Sequence, residues 1–130
     1  MIYLLDAHTF LWWARGSPAL SKTASSILQN PQNRLAVSVA SVWELSLKYS
    51  LGKLPDFQPF ENSKILSQFL ETQAIQLLPV ALDDISLAAT LPMHHKDPFD
   101  RIIVAQAQRR QMTLLSKDEV FKRYAVKVVW

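Results

Sequence analysis

The chain begins Met1-Ile2-Tyr3-Leu4-Leu5-Asp6-Ala7-His8-Thr9-Phe10-Leu11-Trp12-Trp13-Ala14, and this stretch decides the fold. Ile2 to Leu5 is an apolar run too brief for a helix and ended at once by an acid, the pattern of a strand buried on both faces. Ala7 to Ala14 is compatible with a helix, which Gly16-Ser17-Pro18 ends. A buried strand running directly into a helix is therefore the first unit.

The same alternation continues outward from it. A second helix fits Ser21 to Asn30, stopped before Pro31. Leu35-Ala36-Val37-Ser38 reads as strand two and feeds a helix whose Val42, Leu45, Tyr49 and Leu51 recur at helical spacing as far as Gly52. A loop through Pro55 and Pro59 leads to a helix over Phe60 to Thr72, with Ile65, Leu66, Phe69 and Leu70 on one face. Gln76-Leu77-Leu78 is strand three, Leu82 to Leu91 is helical until Pro92, and Pro98 to Arg110 is a long amphipathic helix. Thr113-Leu114-Leu115-Ser116 and Val126-Lys127-Val128-Val129 are strands four and five. Short apolar strands alternating with helices predict an α/β fold with a mostly parallel five-stranded sheet covered on both faces. The right-handed crossover rule leaves few ways to wind it.

With 130 residues, 49% of them hydrophobic, the chain has enough material for one packed core, so a single domain over 1–130 is expected. No cysteine is present, which excludes disulfides, thiolate ligands and cysteine nucleophiles and leaves oxygen or imidazole to hold any metal. The apolar run before Asp6 is far shorter than a signal core or a membrane span requires, so a cytoplasmic protein with no membrane partner is expected. Fourteen Lys and Arg against eleven Asp and Glu give a net charge of +3, a mild bias toward polyanionic partners. Arg109, Arg110, Lys117, Lys122, Arg123 and Lys127 make the C-terminal quarter the most cationic part.

In a doubly wound sheet, chemistry gathers beyond the carboxyl ends of the strands, where strand order reverses. Asp6 follows strand one, Asp118 follows strand four, Glu44 lies early in the helix after strand two, and Asp100 sits in the first turn of the helix leading into strand four. Carboxylates crowded into a partly desolvated cleft repel one another, and a hard divalent cation such as Mg²⁺ or Mn²⁺ neutralises them. Each acid also has a purely structural reading. Asp6, Asp97 and Asp118 suit helix N-caps, Asp100 suits a helix dipole, and Glu44 suits either a capping box with Ser41 or an ion pair with Lys48.

Four stretches carry a resemblance to a known family along nearly the whole chain. They are Leu5-Asp6-Ala7-His8-Thr9 with Phe10-Leu11-Trp12-Trp13, Ser38-Val39-Ala40-Ser41-Val42-Trp43-Glu44-Leu45, His94-His95-Lys96-Asp97-Pro98-Phe99-Asp100-Arg101 with Ile102-Ile103-Val104-Ala105-Gln106-Ala107, and Leu115-Ser116-Lys117-Asp118. In this order and at these separations they resemble the PIN-domain ribonucleases, specifically the VapC-type toxins of toxin–antitoxin pairs. The resemblance implies a three-layer α/β/α fold and places Asp6, Glu44, Asp100 and Asp118 as the catalytic, metal-holding acids. It further implies Mg²⁺- or Mn²⁺-dependent hydrolysis of RNA phosphodiesters by a metal-activated water. A homodimer and a small cognate antitoxin, whose C-terminal segment sets a basic side chain among the acids, are implied as partners.

Within that pattern Asp100 is preferred over Asp97, because it stands just before the Ile-Ile-Val-Ala run, leaving Asp97 as N-cap with Pro98 at the first helical position. Thr9 and Ser116 match small hydroxyl positions near the family's site, where they bind water or phosphate, and Arg101 is expected on RNA phosphate or against a neighbouring acid. His94 and His95 are adjacent, so they are not expected to converge on one ion and read as a polar loop or a substrate contact. Trp12, Trp13 and Trp43 are read as core or subunit-interface residues in preference to base-stacking ones.

Two other classes compete. Phosphoryl-transfer domains of the haloacid dehalogenase or receiver type also set an Asp after strand one, but the first wants a second Asp where this chain has His8, and the second wants an acidic pair there and a phosphoacceptor after strand three. A non-catalytic RNA- or protein-binding module on the same fold is the other, and the four filled acid positions argue against it.

Overall fold

In the computed structural model, which describes residues 1–54 and 58–130, β1 (Ile2–Leu5) lies at the centre of a five-stranded sheet. It is flanked by β2 (Arg34–Ser38) and β3 (Ile75–Leu78) on one side and by β4 (Thr113–Leu115) and β5 (Val128–Val129) on the other, giving the order β3-β2-β1-β4-β5. Every neighbouring pair is parallel, so the sheet is wholly and not just mostly parallel. The helices are α1 (Ala7–Ala14), α2 (Lys22–Gln29), α3 (Val39–Ser50), α4 (Ser63–Thr72), α5 (Leu82–Thr90) and α6 (Pro98–Arg110). Two short 3-10 segments, Gln58–Phe60 and Glu119–Arg123, complete the described elements.

Period-two alternation along the strands divides the core into two halves. Tyr3 and Leu5 face Phe10, Leu11, Ala24, Leu28 and Leu70 from α1, α2 and α4, whereas Leu4, Ala36 and Leu114 face Ala88, Ile103, Val104 and Ala107 from α5 and α6. Burying both faces of the sheet yields three layers, α/β/α, as the apolar runs predict. Among the described residues, no helix is long and apolar enough to cross a membrane.

Several boundaries differ from the sequence reading for local reasons. α4 begins at Ser63, not at Phe60, because the Asn62 side chain accepts a hydrogen bond from the Ile65 amide at 2.9 Å and caps the helix there. Phe60 belongs to the separate 3-10 turn. β3 starts one residue early, at Ile75, paired with Leu35, and β5 contracts to Val128–Val129. Pro55 in the expected connecting loop lies outside the described residues. At the end of β2 the chain enters α3 without a loop: Ser38, the last strand residue, accepts from the Ala40 amide at 3.1 Å. That cap excludes the expected Ser41–Glu44 capping box, since Ser41 is already inside the helix.

α5 and α6 are tied by a buried carboxylate. Asp84 accepts hydrogen bonds from Arg109 at 2.5 Å, from Arg110 at 2.8 and 3.2 Å, and from the Ala81 amide at 2.8 Å. Arg109 and Arg110 are thus paired with Asp84, and Arg109 also with Asp83 at 3.4 Å, so the cationic C-terminal quarter is less available to a polyanion than its residue count implies. Burial pushes the Asp84 carboxyl up, but the Arg110, Ala81 and Arg109 hydrogen bonds outweigh it and bring the pKa from 3.8 down to about 2. A depressed carboxylate stabilises the fold above its unfolded pKa and loses that contribution as pH falls through the folded one, which here is worth about 2 kcal/mol. Urea denaturation of Asp84→Asn should therefore show a loss of about 2 kcal/mol at pH 7, shrinking to roughly half at pH 3. An equal loss at both pH values would contradict this account.

Candidate functional site

The strand order reverses between β1 and β4, and the carboxyl ends of those two strands are stitched together by hydroxyls. Asp6, the first residue after β1, caps α1 by accepting from the Thr9 amide at 2.9 Å through Oδ1. Its Oδ2 accepts from the Ser116 hydroxyl at 2.5 Å. The Thr9 hydroxyl donates to the Leu115 carbonyl at 3.0 Å, and Ser116 Oγ also accepts from the Asp118 amide at 3.0 Å. Both hydroxyls are buried and fully engaged within the protein. The Thr9 hydroxyl thus ties the β1–β4 junction and the Ser116 hydroxyl orients Asp6, structural roles that the sequence alone did not indicate.

Asp118 divides its two oxygens in the same way. Oδ1 accepts from the Val120 amide at 2.9 Å and caps the 3-10 segment, while Oδ2 lies 2.8 Å from His95 Nε2. Asp97 caps α6 through the Phe99 amide at 2.9 Å, with Pro98 next in the helix. Asp100, one turn further on, has its Oδ2 3.6 Å from the same His95 nitrogen. Glu44 is buried in the second turn of α3 and pairs with Lys48 at 3.0 Å. Capping and clustering, which the residues alone left as alternatives, are both realised by the same side chains.

These groups surround a cavity of about 310 Å³ that takes in all four expected acids, Asp6, Glu44, Asp100 and Asp118, together with Asp97. Lys48, Lys117, His8 and Trp12 complete its rim. Burial, reinforced by the charge of Asp97 and further by Glu44 and Asp6 against the opposing His95, pushes the Asp100 carboxyl up to about 7. One ligand atom each from His95, Asp100 and Asp118 lies within 4.8 Å of the others, a group able to hold a metal ion. The donors are carboxylate oxygens with one imidazole, a set that suits hard or borderline divalent cations.

Arg101 is occupied by backbone carbonyls, and no ion pair with a neighbouring acid forms among the described residues. Its guanidinium is buried and donates to the carbonyls of Ala88 at 2.6 Å, Leu91 at 2.9 Å, Pro92 at 3.0 Å and His95 at 3.2 Å. Five planar donors suit a curled run of carbonyls, so Arg101 holds the segment that carries His95 and, among the described residues, pairs with no acid. His95, which the sequence reading left as polar loop or substrate contact, stands against two of the acids. Adjacent side chains point apart, which argues against a histidine pair but leaves each histidine free to act alone. His94 packs on Tyr124 with ring centres 5.1 Å apart, whereas His95 turns to the acids, its amide bonded to the Tyr124 hydroxyl at 2.8 Å. The tryptophans also separate: Trp13 packs against the core, Trp43 is 60% exposed beside Phe99, and Trp12 reaches the cavity rim.

The family model for the PIN domain matches residues 3–127. No curated protein sequence matches the chain. Among solved structures, VapBC2 from Rickettsia felis, bound to a DNA fragment from their promoter, superposes with a TM-score of 0.71 at 18% identity, covering 100% of this chain and 99% of that one. VapBC-1 from nontypeable Haemophilus influenzae gives 0.68 at 19% identity, covering 99% and 97% of the two chains. A toxin–antitoxin complex from Klebsiella pneumoniae gives 0.64 at 17% identity, covering 98% and 96%. Likeness at these identities concerns the fold.

The raised Asp100 carboxyl has a measurable consequence for the metal-free protein. A carboxyl whose folded pKa exceeds its unfolded value favours folding most below the unfolded pKa, and that contribution disappears as pH rises through the folded one. Here the window runs from about 4 to about 7. In chelator, Asp100→Asn should be more stable than wild type by about 1–3 kcal/mol at pH 8 and nearly equal to it at pH 4. Thermal melts at the two pH values check this, and a variant that is less stable at pH 8 would refute the crowding.

Proposed function

Because the chain belongs to the PIN-domain family, we propose that it is a metal-dependent endoribonuclease, the toxin of a VapC-type toxin–antitoxin pair, with Asp6, Glu44, Asp100 and Asp118 as its acidic site. The observation that carries this reading is the gathering of those four carboxylates, with Asp97, in one cavity at the β1/β4 strand ends, where burial and then the charges of Asp97, Glu44 and Asp6 push Asp100 up to about 7.

Mg²⁺ or Mn²⁺, when bound, supplies the charge that neutralises the acids and a phosphodiester, and lowers the pKa of the attacking water. The chain's own groups do the rest. Asp6 is held by its cap and by Ser116, and Asp118 by its cap, so the two side chains are already positioned when a cation arrives. Asp100 gives up its proton to make room for that charge. His95 Nε2, in contact with Asp118, holds a proton or lends a ligand at the same edge. Lys117 and Lys48 at the rim offset the phosphate charge of the strand.

The solved neighbours described as toxin–antitoxin complexes support a small antitoxin as partner, and an acidic cavity suits a basic side chain from it. A homodimer belongs to the same proposal. Val39, Trp43 and Ile85 are exposed and, with Phe99 and Ile102, line an apolar hollow of about 470 Å³ suited to a second copy. A cytoplasmic location is proposed with it.

Purified protein supplied with Mg²⁺ or Mn²⁺ should cleave single-stranded RNA, excess EDTA should abolish cleavage, and Asp6→Asn or Asp118→Asn should each lower the rate on the order of 100-fold or more. Undiminished cleavage in chelator would remove the metal mechanism. Light scattering at micromolar concentration without antitoxin should report a dimer, and a clean monomer would contradict the assembly.

A further inference from the structure

We propose that His8 and Trp12 form a ledge on which a nucleobase of single-stranded RNA stacks beside the acidic cavity; this rests on the ribonuclease reading above. The two residues stand one helical turn apart on α1, at i and i+4, with ring centres 5.7 Å apart and planes tilted by only 35°. Trp130, from the chain end after β5, backs Trp12 at 5.8 Å. The series of rings ends in solvent at His8, which is exposed, and both His8 and Trp12 line the cavity that holds the acids.

The placement is rigid. Asp6 caps the helix that carries the ledge, so the stacking surface is fixed relative to the Asp6 carboxylate, with His8 only two residues from Asp6. Of the tryptophans, Trp13 is committed to the core and Trp43 to the Phe99 side, leaving Trp12 as the one that meets the cavity. A phosphodiester seated among the acids has a base on either side of it, and in a single strand that base is free to splay onto an aromatic surface. In a duplex the base is already stacked, so the ledge selects unpaired RNA. Stacking is tolerant of base identity because every base offers a π-face.

The test uses full-length protein with Mn²⁺ and short single-stranded RNAs carrying one cleavage site, in which an abasic nucleotide is walked through the positions around the scissile bond. Wild type should show one position where base removal raises KM by roughly 5- to 150-fold, with kcat changed much less. His8→Ala, at an exposed site, should show a raised KM on intact RNA and no further rise at that abasic position. Trp12→Ala should do the same, and His8→Phe, which restores a ring without ring nitrogens, should recover the rise in KM at that abasic position. Equal losses on intact and abasic RNA would mean a merely structural role and overturn the ledge. So would a His8→Phe variant as impaired as His8→Ala, since a hydrogen-bonding imidazole would then be responsible. If wild type cleaves no RNA at all, the ribonuclease reading falls separately and tryptophan fluorescence decides the ledge. Quenching by an oligouridylate, lost in Trp12→Phe, sustains it, and no quenching overturns it.

Discussion

The carboxylates of Asp6, Glu44, Asp100 and Asp118 repel one another across a cavity of about 310 Å³, and much of the surrounding hydrogen bonding holds them together against that repulsion. Asp6 is fixed by the Thr9 amide and the Ser116 hydroxyl, Asp118 by the Val120 amide, and Glu44 by Lys48. Asp100 has His95 near it but, among the described residues, no such anchor, and it is the acid whose carboxyl is pushed up to about 7. A site built this way is under electrostatic stress when empty of cations and relieved when one enters.

The parallel sheet makes the convergence possible. Because every strand runs the same way, the carboxyl ends of β1, β2 and β4 lie along one edge, and each is followed by a helix or 3-10 segment whose first turn faces that edge. Helix N-termini require acceptors, and an Asp supplies one oxygen for the cap while its second oxygen can take a different partner. Asp6 and Asp118 use this division, so the stability of the local fold and the geometry of the acids rest on the same residues. Further away, Arg101 acts through four carbonyls to hold the loop that delivers His95.

The fold was legible because its signal is periodic and repeated: Ile2–Leu5 and Pro98–Arg110 fall on the boundaries read from the apolar runs and from Pro98. The start of α4 was less legible, since Phe60 extends the apolar pattern while the cap at Asn62 lies inside it. At the candidate site, Asp6 and Asp118 are marked by their place just after strands, whereas Glu44 and Asp100 stand out only through the resemblance of the motifs around them. The partners of Thr9, Ser116 and Arg101 carry no such mark, because Leu115, Asp6 and the 88–95 carbonyls meet them only through tertiary packing over separations that no local pattern encodes. His95 was hidden for a different reason: its neighbour His94 made the two look like a pair, and the chain direction that splits them is set by Tyr124 and Arg101.

The central claim is that crowded carboxylates at the β1/β4 strand ends form a cation site that holds a proton when the cation is absent. Calorimetric titration of the purified chain with Mn²⁺ at pH 6.5, in buffers of different ionisation enthalpy, measures cation binding and proton release together. The account predicts binding accompanied by proton release in wild type, with the release lost and the binding weakened in Asp100→Asn. Binding with no proton release, or release unchanged in Asp100→Asn, would contradict it.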